Sequence, residues 1–117
     1  MATITITDNE LKVHMDSIKE VLAFKKQFSI PLKHIDSVKS ASGLKFPNPL
    51  QKRIGTNVPH LYYGGTFRQK GKKTFWDVHN RAKAIVINLK NEKYDRLILE
   101  VENPEKVLDE LSKTINS

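Results

Sequence analysis

The residues of this chain whose types could do chemistry are few and thinly spaced. Asp77 and His79 stand two apart near the end of a strand-like run, so they share one strand face and could begin an acid–base pair or a metal site. A metal site needs further ligands at a recognisable spacing, and no third one follows, so the pair reads as polar residues near a strand end. His14, His34 and His60 are isolated in sequence and read as solvent-facing or structurally bonded. The Gly64-Gly65 pair precedes no helix and lacks the glycine spacing of a phosphate cradle, so it marks a close backbone approach or a bend in a strand. No Gly-x-Ser-x-Gly turn exposes a serine, and there is no cysteine to supply a thiolate, a disulfide or a Cys-based zinc site. The chemistry points away from an enzyme, and no cofactor or metal is expected.

One cluster suits binding, and it is basic. Arg68, Lys70, Lys72 and Lys73 crowd a single hairpin tip. Lys45, Lys52 and Arg53 sit in the irregular segment before it, interleaved with Phe46, Leu50 and Ile54. Cations mixed with apolar side chains suit an anionic membrane surface, at about 1 kcal/mol per cation near the headgroups. Four to six acting together give about 4–6 kcal/mol, an affinity between millimolar and tens of micromolar that recruits only with multivalency or a second anchor. The competing reading is that lysine keeps a hairpin tip soluble and blunts a sheet edge, the usual meaning of a charge run. Lys52, Arg53, Arg68, Lys70, Lys72 and Lys73 are the candidate binding residues.

The bulk numbers bound the rest. A chain of 117 residues with 38% hydrophobic content is expected to form one domain with a single core. No run reaches the roughly 18 apolar residues of a membrane span. The N-terminal residues alternate instead of forming a basic segment followed by an apolar one, so no secretory signal is read and a cytoplasmic location is expected. A net charge of +7 attracts phosphates, or simply keeps a small domain dispersed. Nucleic acid is disfavoured as a partner, because Phe75 and Trp76 read as strand residues and form no stacking series.

The positioning elements follow from periodicity. Ile4 and Ile6 alternate with threonines, Asp8-Asn9 supplies a turn, and Leu11, Val13 and Met15 alternate again, which predicts a hairpin. Ser17 and Glu20 form a capping-box pattern before Val21 and Leu22, predicting a short helix near the N-terminus. Phe28 and Ile30 resume strand spacing, and Ile35 to Ala41 could form another strand. From Ser42 to Gly65 prolines and glycines dissolve the pattern, while Phe46, Leu50, Ile54, Leu61, Tyr62 and Tyr63 give the segment apolar anchors for packing.

Four strands are then predicted in succession, around Tyr63–Phe67, Thr74–Val78, Ile85–Leu89 and Leu97–Val101. The third is apolar on both faces and is expected to be central. In the last, Leu97, Leu99 and Val101 face the core, opposite Arg96, Ile98 and Glu100. Asn103 at an N-cap and Pro104 at the first helical position open a helix whose stripe is Val107, Leu108, Leu111 and Ile115. The expectation is an α+β chain dominated by antiparallel strands, a meander closed by one C-terminal helix.

The words Gly65-Thr66-Phe67, Thr74-Phe75-Trp76-Asp77-Val78, Ala84-Ile85-Val86-Ile87, Tyr94-Asp95-Arg96-Leu97 and Val101-Glu102-Asn103-Pro104, in this order and spacing, resemble the bacterial pleckstrin-homology-like (PH-like) domain family. The resemblance is strongest from about Gly64 to Pro104 and extends over the chain. It implies an antiparallel barrel of two nearly orthogonal sheets, capped at one end by the C-terminal helix. The eight predicted strands exceed by one the seven of the standard barrel. The superfold hosts lipid binders, peptide binders and assemblies, so it does not by itself assign a role. Members that bind phosphoinositides surround their first hairpin with Lys and Arg. Here that hairpin carries Asp8 and Glu10, and the stretch from Pro31 to Ile35 adds only Lys33 and His34. The resemblance therefore implies a binding or assembly module, with a protein partner or self-association ahead of anionic lipid.

Overall fold

The computed structural model describes residues 2–15, 27–44 and 63–115. Eight strands lie within them: β1 (Ala2–Ile6), β2 (Glu10–Met15), β3 (Gln27–Pro31), β4 (Ile35–Ser40), β5 (Tyr63–Gln69), β6 (Lys72–Val78), β7 (Ala84–Leu89) and β8 (Arg96–Glu100). One helix, α1 (Pro104–Ile115), follows them. The short helix predicted after Ser17 and the anchors expected between Lys45 and Tyr62 lie outside the described residues, as do Lys52, Arg53 and His60.

The strands form two sheets, not a closed barrel. One has the order β1-β2-β3 and the other β4-β7-β8-β6-β5. The break between them falls after Pro31, the last residue of β3, whose missing N–H faces away from β2 and costs the ladder no rung. Leu32 N–H still donates to the Asn9 carbonyl at 3.0 Å in the β2–β3 register, and a single 3-10 turn (Leu32–His34) then redirects the chain into β4, which pairs with β7.

The meander is also corrected. β8 inserts between β6 and β7, antiparallel to β7 but parallel to β6, from Thr74↔Arg96 to Asp77↔Leu99. Alternation tells which side chains share a face and leaves the neighbouring strand open. The central place also explains Ile98, which sequence reading set opposite the core and which is 0% exposed.

Both faces of the five-stranded sheet are covered. Phe75, Ile85, Ile87, Leu97 and Leu99 pack with Leu11, Val13 and Met15 of β2 and with Leu111 of α1 in one core. On the opposite face Trp76, Val78, Val86 and Ile98 form a second, with Leu44 and Phe67 against it. Strands buried on both sides belong in the middle of a sheet, where β6, β7 and β8 stand.

The helix start is built as read. The Asn103 side-chain oxygen accepts from Lys106 N–H at 3.2 Å, and its carbonyl accepts from Val107 N–H at 3.1 Å. Leu111 is buried, and Val107, Leu108 and Ile115 lie half-buried against the larger core.

At one end of the larger sheet the link from β6 to β7 must cross over β8. Glu100, 6% exposed at the end of β8, holds it there: its Oε1 accepts from His79 N–H at 2.8 Å and Asn80 N–H at 3.1 Å. Val101 N–H donates to the Lys83 carbonyl at 3.0 Å beside it.

Candidate functional site

The β5–β6 hairpin carries the candidate cations. A right-handed sheet twist favours a two-residue turn with both residues at positive φ, and Lys70 (φ 51) and Gly71 (φ 80) supply it between Gln69 and Lys72. Glycine takes that conformation freely, whereas Lys70 accepts strain to place a cation at the tip. Arg68 stands directly opposite Lys73 in the register, two like charges that repel and together attract an anion. Arg68, Lys70 and Lys72 are exposed and Lys73 is half-buried.

Lys73 is half-buried because it lies on an aromatic ring. Its Nζ is 5.0 Å from the centroid of Tyr94, and Lys93 Nζ is 5.9 Å from the same ring. Contacts of this kind contribute about 0.5–1 kcal/mol at accessible sites. Tyr94 is fixed edge-on against Phe28 and Phe75, at 5.6 and 5.8 Å, and its hydroxyl lies 3.1 Å from the Thr66 hydroxyl. The aromatic trio therefore orients one hairpin lysine and adds Lys93 to the patch. Sequence reading missed Lys93, which is distant in the chain and carries no local signal.

A backbone network ties the hairpin to the other loops at this end. Asp95 accepts from Lys73 N–H through Oδ2 at 2.7 Å, and its own N–H donates to the Lys73 carbonyl at 2.8 Å. Lys90 N–H donates to the His34 carbonyl at 2.9 Å, while His34 Nδ1 lies 2.6 Å from Glu92 Oε2. His34 is thus structurally bonded, as expected of it, and His14 is exposed on β2.

Beside this network an open groove of about 770 Å³ runs between the β1–β2 turn and the 3-10 turn after β3. Its size would admit a small ligand. Its walls include Asp8, Glu10 and Leu32, with Lys33 as their cation, so its charge does not favour a phosphate.

Asp77 and His79 do not assemble into a reactive pair. Asp77 is 3% exposed inside β6, on the Phe75 face, whereas His79 lies beyond the strand with its backbone tied to Glu100. Among the described residues no group of three acidic or histidine side chains could hold a metal.

The bacterial PH domain family matches residues 4–115. The chain belongs to that family. PH domains are in general non-catalytic binding modules, and two sheets with one C-terminal helix fit the α+β PH-like fold. No curated protein and no solved structure gives a match to this PH domain. Among the described residues no helix is long and apolar enough to cross a membrane.

Proposed function

We propose that this PH domain is a non-enzymatic binding module that engages a protein partner. The observation that supports it is the end of the five-stranded sheet. β5 pairs with β6 on one side and, among the described residues, with no strand on the other. A strand edge offers a ladder of donors and acceptors to a partner's main chain. Self-association uses the same chemistry, with a second copy as the partner.

The test begins with crosslinking of the tagged chain in its native cells. The captured protein is then purified and titrated into the purified domain, and sedimentation reports self-association. Saturable heat with the purified partner, or a concentration-dependent dimer, supports the reading. A hydrolase or transferase activity lost on substituting Asp77 or His79 would sink it.

A second reading rests on the hairpin charges. Arg68, Lys70, Lys72 and Lys73, with Lys52 and Arg53 from the preceding segment, would hold an anionic phospholipid surface. Cosedimentation with phosphatidylserine vesicles at physiological salt decides between the two. Sedimentation with vesicles that is lost when the hairpin lysines become glutamine favours lipid.

A further inference from the structure

We infer that the outer edge of β5 accepts an acidic peptide segment in extended conformation, added as a further strand of the sheet, with Arg68 and the hairpin lysines selecting its charge. The inference rests on the protein-binding reading above and names the chemistry of the partner.

The turn geometry establishes which backbone groups face outward. A two-residue turn makes Gln69 and Lys72 a hydrogen-bonded pair, and such pairs then alternate along an antiparallel ladder. Phe67↔Thr74 and Gly65↔Trp76 are therefore bonded inward, whereas Arg68↔Lys73, Thr66↔Phe75 and Gly64↔Asp77 are not. Lys73 confirms the phase: its N–H and carbonyl both turn away from β5, to Asp95 on the β8 side. The backbone groups of Thr66 and Arg68 and the Gly64 N–H accordingly turn to the outer edge at every second residue, the repeat that an incoming strand requires, with Gly65 at φ 105 bending the strand between the first two.

The side chains that β5 presents along this edge are compatible with an approaching backbone, and the charged one is a cation; of the carboxylates nearby, Asp77 is buried and Asp95 is held by the Lys73 N–H. Gly64 presents no side chain, and Thr66 is exposed. Arg68 ends the row, with Lys73 opposite it and Lys70 at the turn. Lys93 lies close to the same tyrosine ring as Lys73. Carboxylates on alternate residues of an added strand would share the face that carries Arg68 and Lys73. Main-chain bonds supply affinity in this mode and side-chain chemistry supplies the choice of partner.

The experiment titrates the full chain with a short peptide alternating glutamate and valine, with a lysine–valine peptide as control. Amide hydrogen exchange is followed residue by residue. Binding of the glutamate peptide with exchange slowed at Gly64, Thr66 and Arg68 supports the inference. Thr66→Pro removes one outward N–H without touching an inward rung, a substitution that edge strands tolerate. It is expected to weaken the peptide about tenfold or more at an unchanged thermal midpoint. Thr66→Val keeps the N–H, loses only the hydroxyl contact to Tyr94, and should bind as the parent does. Should Thr66→Pro fail to fold, the exchange pattern of the parent decides alone.

Binding without protection at those three amides would overturn the edge site while leaving the binding-module reading standing. Equal binding of the lysine peptide, or no peptide binding, would overturn it as well. Protection of the same amides by phosphatidylserine vesicles in place of the peptide would assign the edge to lipid and overturn the inference.

Discussion

Replacing Glu100 by alanine tests how this fold holds a crossed connection. The Glu100 carboxylate accepts two backbone N–H groups, from His79 and Asn80, and it is 6% exposed. A hydrogen bond to a charged acceptor contributes about 1.5–3 kcal/mol, and removing the acceptor leaves its donors without a partner. The donors are part-buried, so the lower figure applies to each, and Glu100→Ala is expected to cost about 3 kcal/mol. Against a total stability of about 5–15 kcal/mol that is a large fraction. Glu100→Gln keeps an acceptor oxygen in the same place and loses only the charge, so its cost is expected near 1 kcal/mol. Urea titration measures both, and the slope should stay constant because the exposed surface on unfolding is unchanged. Exchange at His79 and Asn80 should accelerate in the alanine variant before that of β8. A loss below about 1 kcal/mol for alanine would show that the crossover does not depend on this carboxylate, and equal losses for alanine and glutamine would refute the assignment of most of the effect to the acceptor oxygen.

Other perturbations separate the remaining parts. Leu111→Ala empties a fully buried position between α1 and the larger core and is expected to lower stability by about 2–5 kcal/mol in the same titration. Asn103→Ala removes the cap on Lys106 N–H and should cost about 1 kcal/mol, with fraying of the first turn visible in its exchange rates. Gly71→Val forces a β-branched residue to φ 80 and should cost about 1–2 kcal/mol, read as a lower thermal midpoint. Neutralising Lys70 and Lys72 to glutamine should leave the urea midpoint almost unchanged, because both are exposed. The same change should weaken whichever anionic partner is bound, and added salt should weaken the parent as well, with screening over about 8 Å at physiological ionic strength.

The candidate site was half legible in the chain. Arg68, Lys70, Lys72 and Lys73 are near neighbours in sequence, so a hairpin turn suffices to gather them. Lys93 and Tyr94 come from the loop before β8 and join them because β8 lies beside β6, a pairing that alternation does not encode. His34 likewise carries no sequence signal of Glu92, which reaches it from the loop after β7 because β4 pairs with β7. Asp77 and His79 show the opposite case. Their spacing suggested one face, but the strand ends between them and the backbone of His79 turns to Glu100.

What the sequence by itself determined is local. Hydrophobic alternation set the eight strands, Asn103 and Pro104 set the start of the helix, and Lys70-Gly71 set the hairpin turn, because each depends on backbone geometry within a few residues. The tertiary structure alone decided which strands are neighbours. β8 took the place between β6 and β7 because Leu97, Ile98 and Leu99 are apolar on both faces, and only a central strand buries both. That choice left β5 at the end of the sheet among the described residues and turned a buried glutamate into the clasp of a crossover, while the 3-10 turn after Pro31 carries the chain from one sheet into the other.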